Sequence, residues 1–70
     1  MARVNLNHYF LAKVMSSDNK ENIYIECFNT LKQAKLFILE REQSTCEVRN
    51  YYIDERKENG KFINVLHWCI

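Results

Sequence analysis

One segment constrains this chain more than any other, because it is the only one with a clear helical pattern. Residues Thr30 to Gln43 read TLKQAKLFILEREQ, and most of them are strong helix formers, with neither Gly nor Pro. Thr30, followed by Gln33 three residues later, is typical of a capping box at a helix start. All other segments have the pattern of strands or turns. The fold must therefore combine one helix with strands.

The apolar residues of this helix recur at helical spacing, which predicts that one side faces a core. We expect that side to consist of Leu31, Ala34, Phe37 and Ile38, with Phe37 at the centre of the contact. Two more leucines widen the stripe on its flanks, Leu36 and Leu39. Three charged residues are left for water: Lys32, Lys35 and Glu42.

The size and charge of the chain exclude several classes of protein. Seventy residues predict a single domain, residues 1–70, with no room for a second. The hydrophobic fraction of 47% is too high for a disordered chain. Ten Lys and Arg against nine Asp and Glu give a net charge of +1, which argues against a strongly basic nucleic-acid binder. The N-terminal segment is a poor signal peptide and no apolar run spans a bilayer, so we expect a cytoplasmic location.

Strand patterns occupy the rest of the chain. We predict strands at residues 8–16 (beginning as early as Val4), 22–28, 46–57 and 61–70. On the first strand, the residues of one face are Phe10, Ala12 and Val14. The residues of the other face are Tyr9, Leu11, Lys13 and Met15.

The turn between the last two strands predicts their register. Asn59-Gly60 favours a two-residue type I′ turn, because both residues tolerate a positive φ. That turn sets up two cross-strand pairs, Ile53 with Leu66 and Tyr51 with Trp68. A type I turn with a bulge at Gly60 is the alternative, and it shifts the partners by one residue.

The element order β-β-α-β-β predicts an α+β two-layer sandwich: a four-stranded antiparallel sheet with one helix on one face. One helix should cover one face of four strands, but not two. Both faces of the first and last strands are apolar, whereas a half-solvated sheet alternates apolar with polar residues. We therefore expect the uncovered face to bind a protein partner or a second copy of the chain. The alternative is a monomer with some exposed apolar residues. The expected contact residues are Tyr9, Leu11, Ile63, Val65 and His67.

The sequence shows no catalytic or cofactor signature, so we predict a protein without enzymatic activity, cofactor or bound metal. Asp54 and Glu55 are adjacent on a strand and point to opposite faces, so they cannot act as a carboxylate pair. There is no glycine-rich loop to hold a phosphate. A Cys–His nucleophile pair would need a third orienting group and a loop-built oxyanion site, which a chain with one Gly hardly supplies.

The three cysteines are widely spaced and odd in number, which does not favour disulfides. We expect reduced thiols that pack as small buried apolar groups. His67 and Cys69 share a strand face, and with Cys46 or Cys27 they would provide ligands for zinc. The spacings typical of zinc sites are missing, which favours the packing interpretation.

The functional expectation is a small binding protein that acts through the uncovered sheet face or the hairpin edges. A composition rich in Asn, Lys and Ile is typical of accessory proteins from AT-rich genomes, including phages, so we expect an inhibitor or modulator of a host protein. The alternative is a small nucleic-acid-binding regulator that stacks bases on aromatic rings. Its rings would be Tyr9, Tyr24, Tyr51, Tyr52 and Trp68. Its charges would be Lys13, Arg49, Arg56 and Lys57.

Overall fold

Four strands and one helix follow one another in the predicted order. The structure, a computed structural model, describes residues 5–69. The elements are β1 (Tyr9–Ser16), β2 (Asn22–Phe28), α1 (Leu31–Gln43), β3 (Arg49–Arg56) and β4 (Phe62–Cys69). The strands form one antiparallel sheet in the order β2-β1-β3-β4, with α1 packed on one face, which confirms the predicted fold class. β3 begins later than predicted, at Arg49, and the proposed strand ends at Val4 and Ile70 lie outside the described residues.

The helix determines the strand order. β1 and β2 form a hairpin, and β3 pairs with the other side of β1, so β3 runs parallel to β2. Parallel strands need a crossover connection, which α1 supplies. The helix begins after the N-cap Thr30, whose Oγ1 accepts a hydrogen bond from the Gln33 backbone N–H at 3.2 Å. This bond satisfies one of the unpaired N–H groups of the first turn, as the sequence predicts.

A small core joins α1 to the two central strands. Its fully buried apolar side chains are Ala12, Val14, Ala34, Ile38, Tyr51 and Ile53. Phe37 was predicted to lie at the centre of this core. It lies instead at the border of the core, above β2. Its ring lies 5.3 Å from that of Phe28 and 6.4 Å from that of Tyr24. Ala34 and Ile38 occupy the centre, and both are fully buried.

The helix does not cover the whole sheet face. It lies against β1, β2 and β3, and its backbone does not approach β4. The reason is width: four strands place the outer two about 14 Å apart, whereas a helix with side chains is about 10 Å across. Leu36 and Leu39 accordingly do not flank the core and are 52% and 46% exposed. The expectation that one helix covers a four-stranded face is therefore wrong.

The turn between β3 and β4 is not the type I′ turn but the alternative, a type I turn with a bulge at Gly60. Gly60 has a φ of +86°, and its backbone N–H donates to the Lys57 carbonyl oxygen at 2.9 Å. A type I′ turn needs a positive φ at Asn59 as well, but among residues 5–69 only Asn19 and Gly60 have one. The connection is thus a type I turn with Gly60 in the left-handed conformation.

A second irregularity restores the predicted pairing. Next to the turn the register is shifted by one residue, so that Ile63 pairs with Glu55. A β-bulge at Val65 then adds one residue to β4. Beyond the bulge the predicted pairs are present, Ile53 with Leu66 and Tyr51 with Trp68. The two shifts cancel near the core, and only the residues between them change face.

Candidate functional site: the open face of the sheet

The sheet face opposite α1 has no covering element among residues 5–69, and its side chains form rows across the strands. Residues paired directly across strands lie on the same face, so the register defines each row. We call this surface the open face. Its first row is Phe62, Arg56 and Tyr9. Its second row is Asn64, Asp54, Leu11 and Cys27. Its third row is His67, Tyr52, Lys13 and Ile25.

The third row contains a continuous stack of side chains. The rings of Tyr52 and His67 are 4.3 Å apart and nearly parallel, at 2°. Lys13 Nζ lies 5.2 Å from the centre of the Tyr52 ring. Because β1 and β4 flank β3 on opposite sides, Lys13 and His67 approach opposite faces of that ring. The Tyr52 hydroxyl donates to Asn19 Oδ1 at 3.0 Å, which fixes the ring from its outer end.

The first row is a second aromatic cluster at the turn end of the sheet. The rings of Tyr9 and Phe62 meet edge to face, with 6.1 Å between their centres. The Arg56 guanidinium lies 5.9 Å from the Tyr9 ring centre and donates to the Leu6 carbonyl oxygen at 2.8 Å. Phe62 is 51% exposed although its ring is in contact with Tyr9. The row therefore presents an apolar ring beside a positioned cation.

Charge on the open face is slightly positive. Lys13 and Arg56 carry positive charge, and Asp54 carries the negative charge of the same three rows. The Asp54 carboxylate accepts a hydrogen bond from Asn64 Nδ2 at 2.8 Å. Each of the two cations lies beside an aromatic ring.

The structure brings together three of the five predicted contact residues. Tyr9, Leu11 and His67 lie on the open face, as expected. Ile63 does not, because it pairs with Glu55 in the row of Phe10 on the helix side of the sheet. Val65 is the half-buried extra residue of the bulge.

Phe62 lies on the open face, opposite to the face that the sequence pattern predicts for it. Counting by twos from Leu66 and Trp68 places it on the helix side, whereas the bulge turns it to the open face. Nothing in the local sequence marks Val65 as the extra residue. The sequence therefore does not predict that Phe62 and Ile63 exchange sheet faces.

The residues of the nucleic-acid alternative are divided between the two faces. Tyr9, Tyr52, Lys13 and Arg56 lie on the open face. Tyr24, Tyr51, Trp68 and Arg49 belong to rows on the helix side. Tyr51 is 1% exposed and stacks on Trp68 with 5.5 Å between ring centres. Three of the five proposed stacking rings therefore lie on the helix side.

A separate ionic cluster ties the segment before β1 to β3. His8 Nε2 lies 2.6 Å from Glu55 Oε2, and Lys57 Nζ lies 3.3 Å from Glu55 Oε1. The hydrogen bond with His8, helped by Lys57, lowers the pKa of Glu55 below its ordinary value of 4.5. Ile63 lines the cleft beside this cluster. The geometry is that of a clasp that holds residues 5–8 against the sheet.

The cysteines do not behave as predicted. Cys46 and Cys69 are exposed and Cys27 is half-buried, all three as free thiols, so the expectation of three buried apolar groups is wrong. Burial raises the pKa of the Cys27 thiol. Within residues 5–69, no three His, Cys, Asp or Glu side chains lie together in a group that would hold a metal ion.

A second apolar surface lies beside the helix, where β4 is left uncovered. We call it the α1–β4 groove, and its lining residues are Lys35, Leu39, Glu42, Leu66 and Trp68. Trp68 Nε1 donates to Glu42 Oε2 at 3.1 Å across this groove. The apolar excess predicted from the sequence is therefore divided between the open face and the helix side.

Comparisons with protein-family models, curated proteins and solved structures gave no match. In residues 5–69, no helix has the length and apolar character needed to cross a membrane.

Proposed function

We propose that this protein is a small binding module without catalytic activity, which attaches to another protein through the open face. The observation that supports the proposal is the combination of Tyr9, Phe62 and Arg56 in one row, with Tyr52 and His67 two rows away. Tyr, Phe and Arg are enriched at protein interfaces, and Tyr and Arg dominate binding hot spots.

The arrangement of these side chains suits a protein surface better than a small ligand. The rings are already held by neighbours, Tyr52 by His67 and Lys13, and Tyr9 by Phe62 and Arg56. Pre-ordered rings lose little conformational entropy when a partner binds. The sheet presents them as a broad surface, which matches the flat contact of two proteins.

The charges indicate the chemistry of the partner. Lys13 and Arg56 lie in different rows, each beside an aromatic ring. A protein that presents carboxylates flanked by apolar side chains would satisfy both cations and cover the rings. Inhibition or modulation of such a protein is the action that we propose. Three free thiols favour a reducing compartment, so we place this action in the cytoplasm.

Site-specific photo-crosslinking in the source cell tests this proposal. We would place p-benzoylphenylalanine at position 62 or 67 on the open face, and at position 48 as a control. Val48 is 58% exposed in the connection between α1 and β3, away from the rows of the open face. We expect one discrete protein adduct from positions 62 and 67, identified by mass spectrometry, and none from position 48.

Charge reversal then shows whether the adduct depends on the proposed contacts. Lys13→Glu and Arg56→Glu, each added to the position-67 probe, should reduce the adduct, whereas Glu58→Lys in the exposed turn should not. Circular dichroism checks that each variant keeps its fold. Equal adducts from all three probe positions, or no adduct from positions 62 and 67, would exclude the open face as the binding surface.

Nucleic-acid binding is the second candidate, because Tyr9, Tyr52, Lys13 and Arg56 share the open face. Stacking of bases needs a free ring face, and both faces of Tyr52 are in contact with neighbours. Fluorescence anisotropy with labelled single-stranded RNA and DNA at several salt concentrations distinguishes the two. Binding that weakens steeply with salt and is lost in Lys13→Glu would replace protein binding as the function.

A further inference from the structure

The outward side of α1 carries an apolar pair that the fold does not use. Leu36 and Leu39 are 52% and 46% exposed, whereas Ala34 and Ile38 on the same helix are fully buried. At about 100° per residue, Leu36 lies almost opposite the buried pair. Leu39 lies between Leu36 and the α1–β4 groove around the helix circumference. The apolar surface therefore continues from the helix to Leu66 and Trp68.

The spacing along this side is that of a short helix-pairing seam. Leu36 and Leu39 are three residues apart, with Lys32 and Gln43 four residues before and after them. In heptad terms these four residues occupy successive a and d positions, with the two leucines in the middle. Such a seam is suited to packing against one other helix.

Most of the charges of α1 are arranged against its own dipole. Lys32 and Lys35 lie in its first half, Glu40 and Glu42 lie in its second half, and the first turn contains no acidic residue, whereas Arg41 in the last turn agrees with the dipole. A helix favours acidic groups near its N-terminus and basic groups near its C-terminus. The observed order therefore costs the isolated helix some stability, but it suits a helix that lies antiparallel to a copy of itself.

We propose that two copies of this chain associate through α1, with the two helices antiparallel and the leucines at the centre. Leu36 of each copy then packs on Leu39 of the other, as a and d positions do in antiparallel pairs. The sheets lie on the outer sides of the helix pair. The open faces remain free, so this association does not depend on the function proposed above.

The charges beside the two leucines indicate that the helix packed against them belongs to a second copy of the chain. Lys35 and Glu42 line the same side of α1, toward the α1–β4 groove. In an antiparallel pair, positions on the same side of the seam face each other, so Lys35 of one copy meets Glu42 of the other at both ends.

Sedimentation velocity over a concentration series tests the association. We expect the wild-type chain to shift from monomer to dimer as concentration rises, and Leu39→Glu to remain monomeric, because a buried unpaired charge is costly in an interface. Leu39 is half-exposed in the monomer, so circular dichroism should show an unchanged fold. Phe62→Glu, on the open face, should associate as the wild type does.

Charge exchange tests the antiparallel geometry. Lys35→Glu and Glu42→Lys should each weaken self-association by roughly tenfold, because each creates two like-charge contacts. Mixing the two variants should restore association, since every contact then joins Glu to Lys. Circular dichroism of each monomer separates this result from misfolding, since Glu42→Lys also removes the acceptor of the Trp68 hydrogen bond.

Three outcomes would overturn the proposal. The first is a wild-type chain that stays monomeric over the whole concentration series. The second is association that Phe62→Glu abolishes and Leu39→Glu leaves intact, which would place the contact on the open face. The third is a mixture of Lys35→Glu and Glu42→Lys that associates no better than either variant alone.

Discussion

Asn64 donates a hydrogen bond from its side-chain amide to the Asp54 carboxylate at 2.8 Å, beside the extra residue Val65. The same amide nitrogen lies 3.1 Å from the Leu66 carbonyl oxygen and 3.4 Å from that of Ile53. It therefore joins β3 and β4 where their register changes. The bulge that it supports turns Phe62 to the open face.

Asn64→Ala should lower the free energy of unfolding by about 1 kcal/mol, because carbonyl and carboxylate acceptors lose their donor. Urea denaturation measures this loss. Asn64→Asp should be more destabilising, since a second carboxylate would stand next to Asp54. If Asn64→Ala unfolds at the wild-type urea concentration, the amide does not support the bulge.

Gly60→Val should destabilise the protein by roughly 1–2 kcal/mol or more, since a β-branched residue is strained at positive φ. Gly60 has a φ of +86°, and a Cβ added there would meet only Arg56 Nη2, at 3.7 Å. The loss therefore comes from the backbone and not from a clash. Gly60→Asn is the matched control and should lose less, because Asn tolerates this conformation. Equal denaturation midpoints for Gly60→Val and the wild type would contradict the turn geometry.

Ile38→Ala should cost about 2–5 kcal/mol, because it leaves a cavity at the centre of the helix–sheet contact. This is a large part of the stability of a small domain. Leu36→Ala removes a similar side chain from the outward side of the same helix and should change stability little at concentrations where the chain is monomeric. Thermal unfolding of both variants checks the orientation of α1. Equal losses would show that the helix is rotated from the position described.

The contact between His8 and Glu55 predicts a pH dependence. The pKa of Glu55 is lowered in the folded protein, so ionised Glu55 stabilises the fold above its ordinary value of 4.5. This contribution is lost as the pH falls from 4.5 through the lower folded pKa. Glu55→Gln should therefore flatten the acid side of a plot of urea midpoint against pH, whereas Glu58→Gln in the exposed turn should not.

The residues that lower the pKa of Glu55 can be ranked by carbon NMR of its carboxyl group. His8→Ala should move this pKa back toward 4.5 further than Lys57→Met does, because His8 lies closer to the carboxylate, at 2.6 Å against 3.3 Å for Lys57. The reverse order, or no change in either variant, would contradict the geometry of the clasp.

Much of the fold can be predicted from the local sequence. The N-cap at Thr30, the helix and the four strands each depend on neighbouring residues, and the structure confirms them. The faces of β1 were predicted because alternation along a regular strand is strictly twofold. The same rule failed on β4, since one extra residue at Val65 reverses the count for everything between it and the turn.

The sequence is enough to predict the element order, the helix start and the core-facing side of α1. Each of these follows from propensity or periodicity over a few residues. Tertiary structure alone decided how much of the sheet α1 covers and which of Phe62 and Ile63 reaches the open face. Both depend on distances between elements: a helix is narrower than four strands, and the shifts at Gly60 and Val65 cancel only when the strands are paired.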